Sequence, residues 1–158
     1  MSCKMVGKEP FKKKIQKEMT SFIEDPPEGM VLDASRAEQN LNIWTVYMQG
    51  VDGTLYAGEQ FQLQIKFGNN YPFESPEVTF VGQNIPVHPH VYSNGHICLA
   101  ILADDWSPAL SIHSVCVSVL SMLSSCKEKK RPEDNSIYIK MDIKNLKDVK
   151  WKFHDDQI

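Results

Sequence analysis

No apolar run in the 158-residue chain approaches the roughly 20 residues that cross a bilayer, so no membrane partner is expected. The first residues, MSCKMVGKEPFKKK, lack the apolar centre of a secretory signal, and a cytoplasmic or nuclear address is expected. The four cysteines, Cys3, Cys98, Cys116 and Cys126, include no CxxC pair, and such an address argues against disulfides. Positive charge is not in excess. The formal net charge is −3, which points away from nucleic acid as a partner. Internal repeats and low-complexity linkers are also missing, as fits one compact domain. What remains is ordinary for a globular protein: 42% hydrophobic and 23% charged residues, in a chain long enough to bury roughly 70% of its unfolded surface.

The charge is unevenly placed. Lys4, Lys8, Lys12, Lys13, Lys14 and Lys17 make the N-terminus basic, and a second basic stretch starts at Lys127-Glu128-Lys129-Lys130-Arg131. Such runs read first as solvated faces. Docking on an acidic protein surface is the other reading, and for KEKKR a nuclear import signal.

Periodicity places the elements. Phe11, Ile15, Met19 and Phe22 or Ile23 recur at helical spacing and predict an amphipathic helix over 9–24, ended by Asp25-Pro26-Pro27. Alternation predicts strands at 43–48, 61–67 and 77–81. From Gly82 to Pro108 regular periodicity is lost, and so long an irregular stretch in a compact domain points to function. Ile112, Val115, Cys116, Val119, Leu120 and Leu123 then mark the strongest helix, expected to run into the basic stretch and end at Pro132. A weak helical signal follows at 136–148.

Within the irregular stretch, residues 88–99 read HPHVYSNGHICL. Three of the chain's five histidines crowd around Cys98. Taken alone, the residues leave three readings open. H-x-H-x5-H-x-C offers four candidate metal ligands, but structural zinc favours more thiolates, at CxxC or HxxxH spacings, and Ile97 and Leu99 look like packing residues; no metal is assigned. A hydrolytic Cys–His pair needs an orienting group, for which Asn94 is available, and an oxyanion hole. A rigid structural loop on His88-Pro89 needs neither.

The stretch resembles the active-site signature of ubiquitin-conjugating enzymes. That signature has a His-Pro-Asn tripeptide, then Gly-x-Ile-Cys-Leu, then Trp-Ser-Pro-Ala-Leu. Here these are His88-Pro89-His90, Gly95-His96-Ile97-Cys98-Leu99 and Trp106-Ser107-Pro108-Ala109-Leu110. Tyr71-Pro72-Phe73-Glu74-Ser75-Pro76-Glu77-Val78, Asp25-Pro26-Pro27 and Gly53-Thr54-Leu55-Tyr56-Ala57-Gly58 also match, so the blocks span about 9–126 in order.

The resemblance implies an α+β fold, the ubiquitin-conjugating (UBC) fold: an N-terminal helix, a four-stranded antiparallel meander whose first strand lies near 30–36, an active-site loop and a central helix. It divides the chain into a flexible end (1–8), the core domain (9–131) and an atypical, mobile C-terminal segment (132–158) in which Trp151 and Phe153 pack locally or contact substrate. It implies that Cys98 takes ubiquitin as a thioester from the activating enzyme and passes it to an amine, with RING or U-box ligases as partners. No cofactor is bound, because the activating enzyme consumes the ATP upstream. Residue by residue, Cys98 and His90 carry the chemistry, and His88, Pro89 and Asn94 build the loop. Phe73, Pro108 and Ala109 face ligases, and Lys13, Lys14 and Lys17 face the activating enzyme. Val31 falls near a ubiquitin-binding "backside" strand.

Three departures matter. The family's Asn is His90, which still offers a ring N–H donor. The position where many members carry an acid that helps deprotonate lysine is, by gapless count from Cys98, Lys130, and the Asp that often follows Cys-Leu is Ala100. The C-terminal segment matches the family's two closing helices poorly. Near pH 7.2 roughly a fifth of α-amines are neutral but about 0.1% or less of lysines, a gap on the order of 3.5 kcal/mol. A site poor at deprotonating lysine can still use a protein N-terminus. The signature segments are most similar to the W-type branch of the family, which modifies flexible N-termini. A general lysine-directed enzyme and an inactive binding module are the alternatives; the intact Cys98 and its flanks favour an enzyme.

Overall fold

A computed structural model of the chain describes residues 9–141. In chain order these form helix α1 (Glu9–Glu24), strand β1 (Met30–Leu32), short helix α2 (Ala34–Gln39), strands β2 (Ile43–Gln49), β3 (Gln60–Lys66) and β4 (Glu77–Val81), a 3₁₀ turn (Ala100–Leu102), helix α3 (Ile112–Ser124) and the single turn α4 (Asn135–Tyr138). The strands form one antiparallel sheet in the order β1-β2-β3-β4.

The alternation of β3 sets the sheet's two faces. Phe61, Leu63 and Ile65 are buried, while Gln62 and Gln64 lie on the other side. Register carries the apolar face across the sheet: Trp44 pairs with Ile65, Val46 with Leu63, and Leu63 with Phe80. Ile15 and Phe22 of α1 and Ile112, Val115, Cys116, Val119 and Leu123 of α3 complete one core. Each such apolar side chain contributes about 1.5–3 kcal/mol by leaving water.

The expected helix over 9–24 and the strand at 77–81 are present with those bounds. β1 carries no alternation signal because it is three residues long, with Met30 and Leu32 buried and Val31 exposed. α2 is equally short: Asp33 caps it by accepting the Arg36 N–H, and Ala37 is its one buried residue. The central helix departs from expectation at its end. It stops at Ser124, where the Ser125 N–H bonds back to Ser121 and Leu123 and the Cys126 N–H to Leu123. This tight closure precedes the basic stretch, so the last turn of α3 carries no basic residue. The helical signal at 136–148 corresponds to α4 alone within the described residues.

Candidate active site

Cys98 follows a tight hairpin. The Tyr92 N–H donates to the His96 carbonyl, and the Gly95 N–H returns to Tyr92, both at 2.9 Å. The Asn94 side-chain oxygen accepts the His96 N–H. Gly95 has φ +94°, and a Cβ there would stand 1.9 Å from the Phe80 carbonyl oxygen. That contact and the Phe80 N–H bond to the Gly95 carbonyl (2.8 Å) dock the hairpin on β4. The hairpin's base is closed by the Val91–Ile97 bridge and by the Cys98 N–H donating to the His90 carbonyl at 2.8 Å. Cys98 is 8% exposed.

His88 anchors the segment that pairs with Cys98. Its Nδ1 accepts the His90 N–H at 2.9 Å, and its Nε2 faces the Met122 carbonyl at 3.0 Å, so the ring is neutral with the proton on Nε2. Burial depresses its pKa to about 4, against an opposing pull from the Met122 carbonyl. With both nitrogens occupied, His88 is not a metal ligand or a general base. Among the described residues no three His, Cys, Asp or Glu side chains are placed to hold a metal.

A second segment lies against the hairpin. The Tyr138 ring stacks on Tyr92, and its hydroxyl is 3.0 Å from His96 Nδ1. The Tyr92 hydroxyl donates to the Asp134 carboxylate (3.0 and 3.2 Å), and Asn135 accepts the Ser93 N–H at 2.8 Å. Burial, then the Asp134 carboxylate, push the Tyr92 phenol far up; burial does the same to Tyr138, and the charge of a Cys98 thiolate adds to both shifts. Burial lowers His96, partly opposed by Glu77. Cys116 is a core thiol that burial pushes up to about 12.

The remaining predicted residues fall in separate places. Lys130 is exposed, as are Asp104, Asp105, Glu128 and Glu133. The acid that the fold brings to the hairpin is Asp134. A gapless count misses it because the chain leaves α3 early and re-approaches the hairpin four residues later than Lys130. Tyr138 sits in a weakly periodic stretch whose buried face has no sequence signal. Phe73 is 78% exposed, and Pro108 and Ala109 are exposed. Their two loops are tied together by the Trp106 indole N–H donating to the Pro72 carbonyl (2.8 Å) and by Ser75 donating to Leu102 (2.8 Å). Lys13 and Lys17 are exposed on α1, while Lys14 pairs with Glu18 at 3.6 Å. Val31 pairs with Tyr47 on the outer sheet face and with it lines an open groove. Trp151 and Phe153 lie outside the described residues.

The chain is similar to known proteins over nearly its whole length. A family profile described as "Ubiquitin-conjugating enzyme" matches residues 14–153. The chain is 59% identical over 146 residues to "Probable ubiquitin-conjugating enzyme E2 W-A" of Danio rerio, covering 92% of this chain and 97% of that protein. It is 53% identical to "Ubiquitin-conjugating enzyme E2 W" of Caenorhabditis elegans, covering 92% and 96%. Among solved structures, the ubiquitin-conjugating enzyme E2 UbcA1 of Agrocybe aegerita superposes with a TM-score of 0.78 at 43% identity, over 84% of this chain and 95% of that one.

Proposed function

Given that the chain belongs to the ubiquitin-conjugating enzyme family, we propose that it carries ubiquitin as a thioester on Cys98 and transfers it preferentially to the α-amino group of flexible protein N-termini. Membership brings ubiquitin, an activating enzyme and ubiquitin ligases as partners. It makes the protein a transferase of the ubiquitin pathway. The finer reading concerns which amine accepts.

The proposed steps follow from the site. The Cys98 sulfur displaces the activating enzyme from the ubiquitin carboxyl, which keeps the activation in a thioester. A neutral amine then attacks the thioester carbonyl. The C–N bond forms, the C–S bond breaks, the Cys98 thiolate leaves and the amine proton passes to solvent. In this reading His90 is a donor beside the developing oxyanion. Its backbone carbonyl accepts the Cys98 N–H, so the two residues are paired across the base of the hairpin.

One observation carries the preference: the gapless acid position is an exposed lysine, and Asp134 at the hairpin already accepts the Tyr92 hydroxyl. A site with its carboxylate so engaged does little to deprotonate lysine, whereas an α-amine arrives partly neutral. The same Asp134 also favours a second reading, a lysine-directed enzyme that frees the carboxylate when the acceptor arrives. No bound cofactor enters either reading; ATP is consumed upstream by the activating enzyme. No helix among the described residues is long and apolar enough to cross a membrane, and we place the reaction in the cytoplasm or nucleus.

The reading is tested by mapping the product. An acceptor with a flexible free N-terminus and several exposed lysines is incubated with activating enzyme, ATP and ubiquitin, and the conjugate is sequenced by mass spectrometry. Ubiquitin on the α-nitrogen supports the proposal. Ubiquitin on lysine side chains overturns it.

A further inference from the structure

The basic run after α3 is not a uniform solvated face. Lys127 and Lys130 are exposed. Lys129 pairs with Glu59 at 2.7 Å and lies 4.9 Å over the Tyr56 ring. Arg131 turns inward. One guanidinium nitrogen donates to the Pro86 carbonyl at 2.7 Å and to the Val91 carbonyl at 3.1 Å, and the other donates to Ile85 at 3.2 Å. Burial lowers its pKa from the usual arginine value, with the nearby Tyr56 opposing. A guanidinium held against carbonyls in that way is a built contact.

The three carbonyls belong to the irregular segment that leads to the Cys98 hairpin. No named strand covers 85–91 and its only β pairing is isolated bridges at His88 and Val91, so most of its polar backbone groups need partners from elsewhere. Val91 is the hub. Its N–H bonds to His88, it bridges to Ile97, and its carbonyl goes to Arg131. The next residue upstream is His90, whose carbonyl fixes the Cys98 N–H. His88 secures the same segment from the other side through Met122.

We propose that Arg131 is a positioning residue for ubiquitin transfer: its planar fork on Ile85, Pro86 and Val91 holds the His88–Val91 segment in the register that sets Cys98 and His90. It acts through the backbone and touches neither sulfur nor acceptor. The proposal rests on the family's transfer reaction at Cys98 and not on which amine accepts. Lysine cannot replace the residue, because an ammonium is a point donor on a flexible stem and cannot hold three carbonyls in a plane.

The test is single-turnover discharge of ubiquitin from Cys98 to a small amine, read as a limiting rate and a half-saturating amine concentration. Arg131→Ala, Arg131→Lys and Lys127→Ala are compared with the unaltered chain, each checked for folding by circular dichroism. Loss of register is expected to lower the limiting rate of both Arg131 variants about tenfold or more, since small misplacements are costly in catalysis. Half-saturation stays unchanged, Lys127→Ala behaves as wild type, and added methylguanidinium restores part of the Arg131→Ala rate. An unchanged rate in both Arg131 variants overturns the proposal, as does full activity in Arg131→Lys, which would leave charge alone as the requirement. If Arg131→Ala does not fold, Arg131→Lys decides by the same rate. An unaltered chain that forms no reducible Cys98 adduct overturns the transfer reading and this proposal together.

Discussion

Tyr138 lies face to face on Tyr92, with ring centroids 3.7 Å apart and planes 13° from parallel. The pair joins a turn near the end of the described chain to the hairpin that precedes Cys98, and Tyr138 is 42 residues away in sequence from its hydroxyl partner His96. Tyr138 is 4% exposed, so its ring is packed against the hairpin. Replacing Tyr138 by Ala is expected to lower stability by about 3–5 kcal/mol, as for other buried aromatic truncations. Tyr138→Phe keeps the stack, removes the hydroxyl at His96, and is expected to cost about 1 kcal/mol. Urea unfolding of both variants checks the pair; equal losses would contradict a stack-dominated contact.

Gly95 gives a sharper test of the hairpin's seat. A methyl group there meets the Phe80 carbonyl oxygen at 1.9 Å, and the backbone at φ +94° disfavours any L side chain. Gly95→Ala is expected to lift the hairpin from β4 and to cost at least about 2 kcal/mol. Thermal unfolding reads the loss, and the yield of reducible ubiquitin adduct on Cys98 falls with it. A variant with unchanged melting temperature would mean that the hairpin is not held by this contact.

His88 makes stability depend on pH. Its pKa is lowered in the folded chain from 6.5 to about 4, so the unfolded chain binds the proton more readily. The folded state is therefore at full stability above pH 6.5 and loses it as pH falls from 6.5 towards 4. Below that the loss levels off at about 2–3 kcal/mol for this group, once partial solvent screening is allowed for. His96, also lowered, works in the same direction. Urea unfolding at a series of pH values is expected to show this slope, and His88→Gln, which keeps a donor for Met122, to flatten it. A slope unchanged in that variant would remove His88 as its source.

His90 separates backbone from side chain. The Cys98 N–H bond goes to its carbonyl and survives any substitution. Loss of a donor to a developing oxyanion typically costs about 10²–10³ in rate. His90→Ala is therefore expected to slow discharge by about a hundredfold or more, and His90→Asn to retain most of it. Discharge unaffected by His90→Ala would count against any chemical role for the imidazole.

Legibility in the sequence followed the length and exposure of each element. α1, β3 and β4 carry one buried face over five residues or more, so period alone places them. β1 and α2 bury too few residues for any period to show. Cys98 and the histidines were visible as a cluster. That His88 is neutral and closed on both nitrogens was not, because its partners are backbone groups of Met122 and His90. The end of α3 is not legible because a basic run before a proline imitates a helix terminus, while the real stop at Ser125 is made by backbone bonds. Asp134 and Arg131 reach the site only through that early stop, and no spacing rule measured from Cys98 locates them.

The identity of the accepting amine is tested most directly by discharge in single turnover at pH 7.2. The ubiquitin adduct on Cys98 is formed, charging is quenched, and either free lysine blocked at its α-amine or a lysine-free peptide with an open, flexible N-terminus is added at equal concentration. Fast loss of the adduct with the peptide and slow loss with lysine is the predicted result. Equal or faster loss with lysine would contradict the account and make Asp134, released from Tyr92, the base that was thought to be engaged.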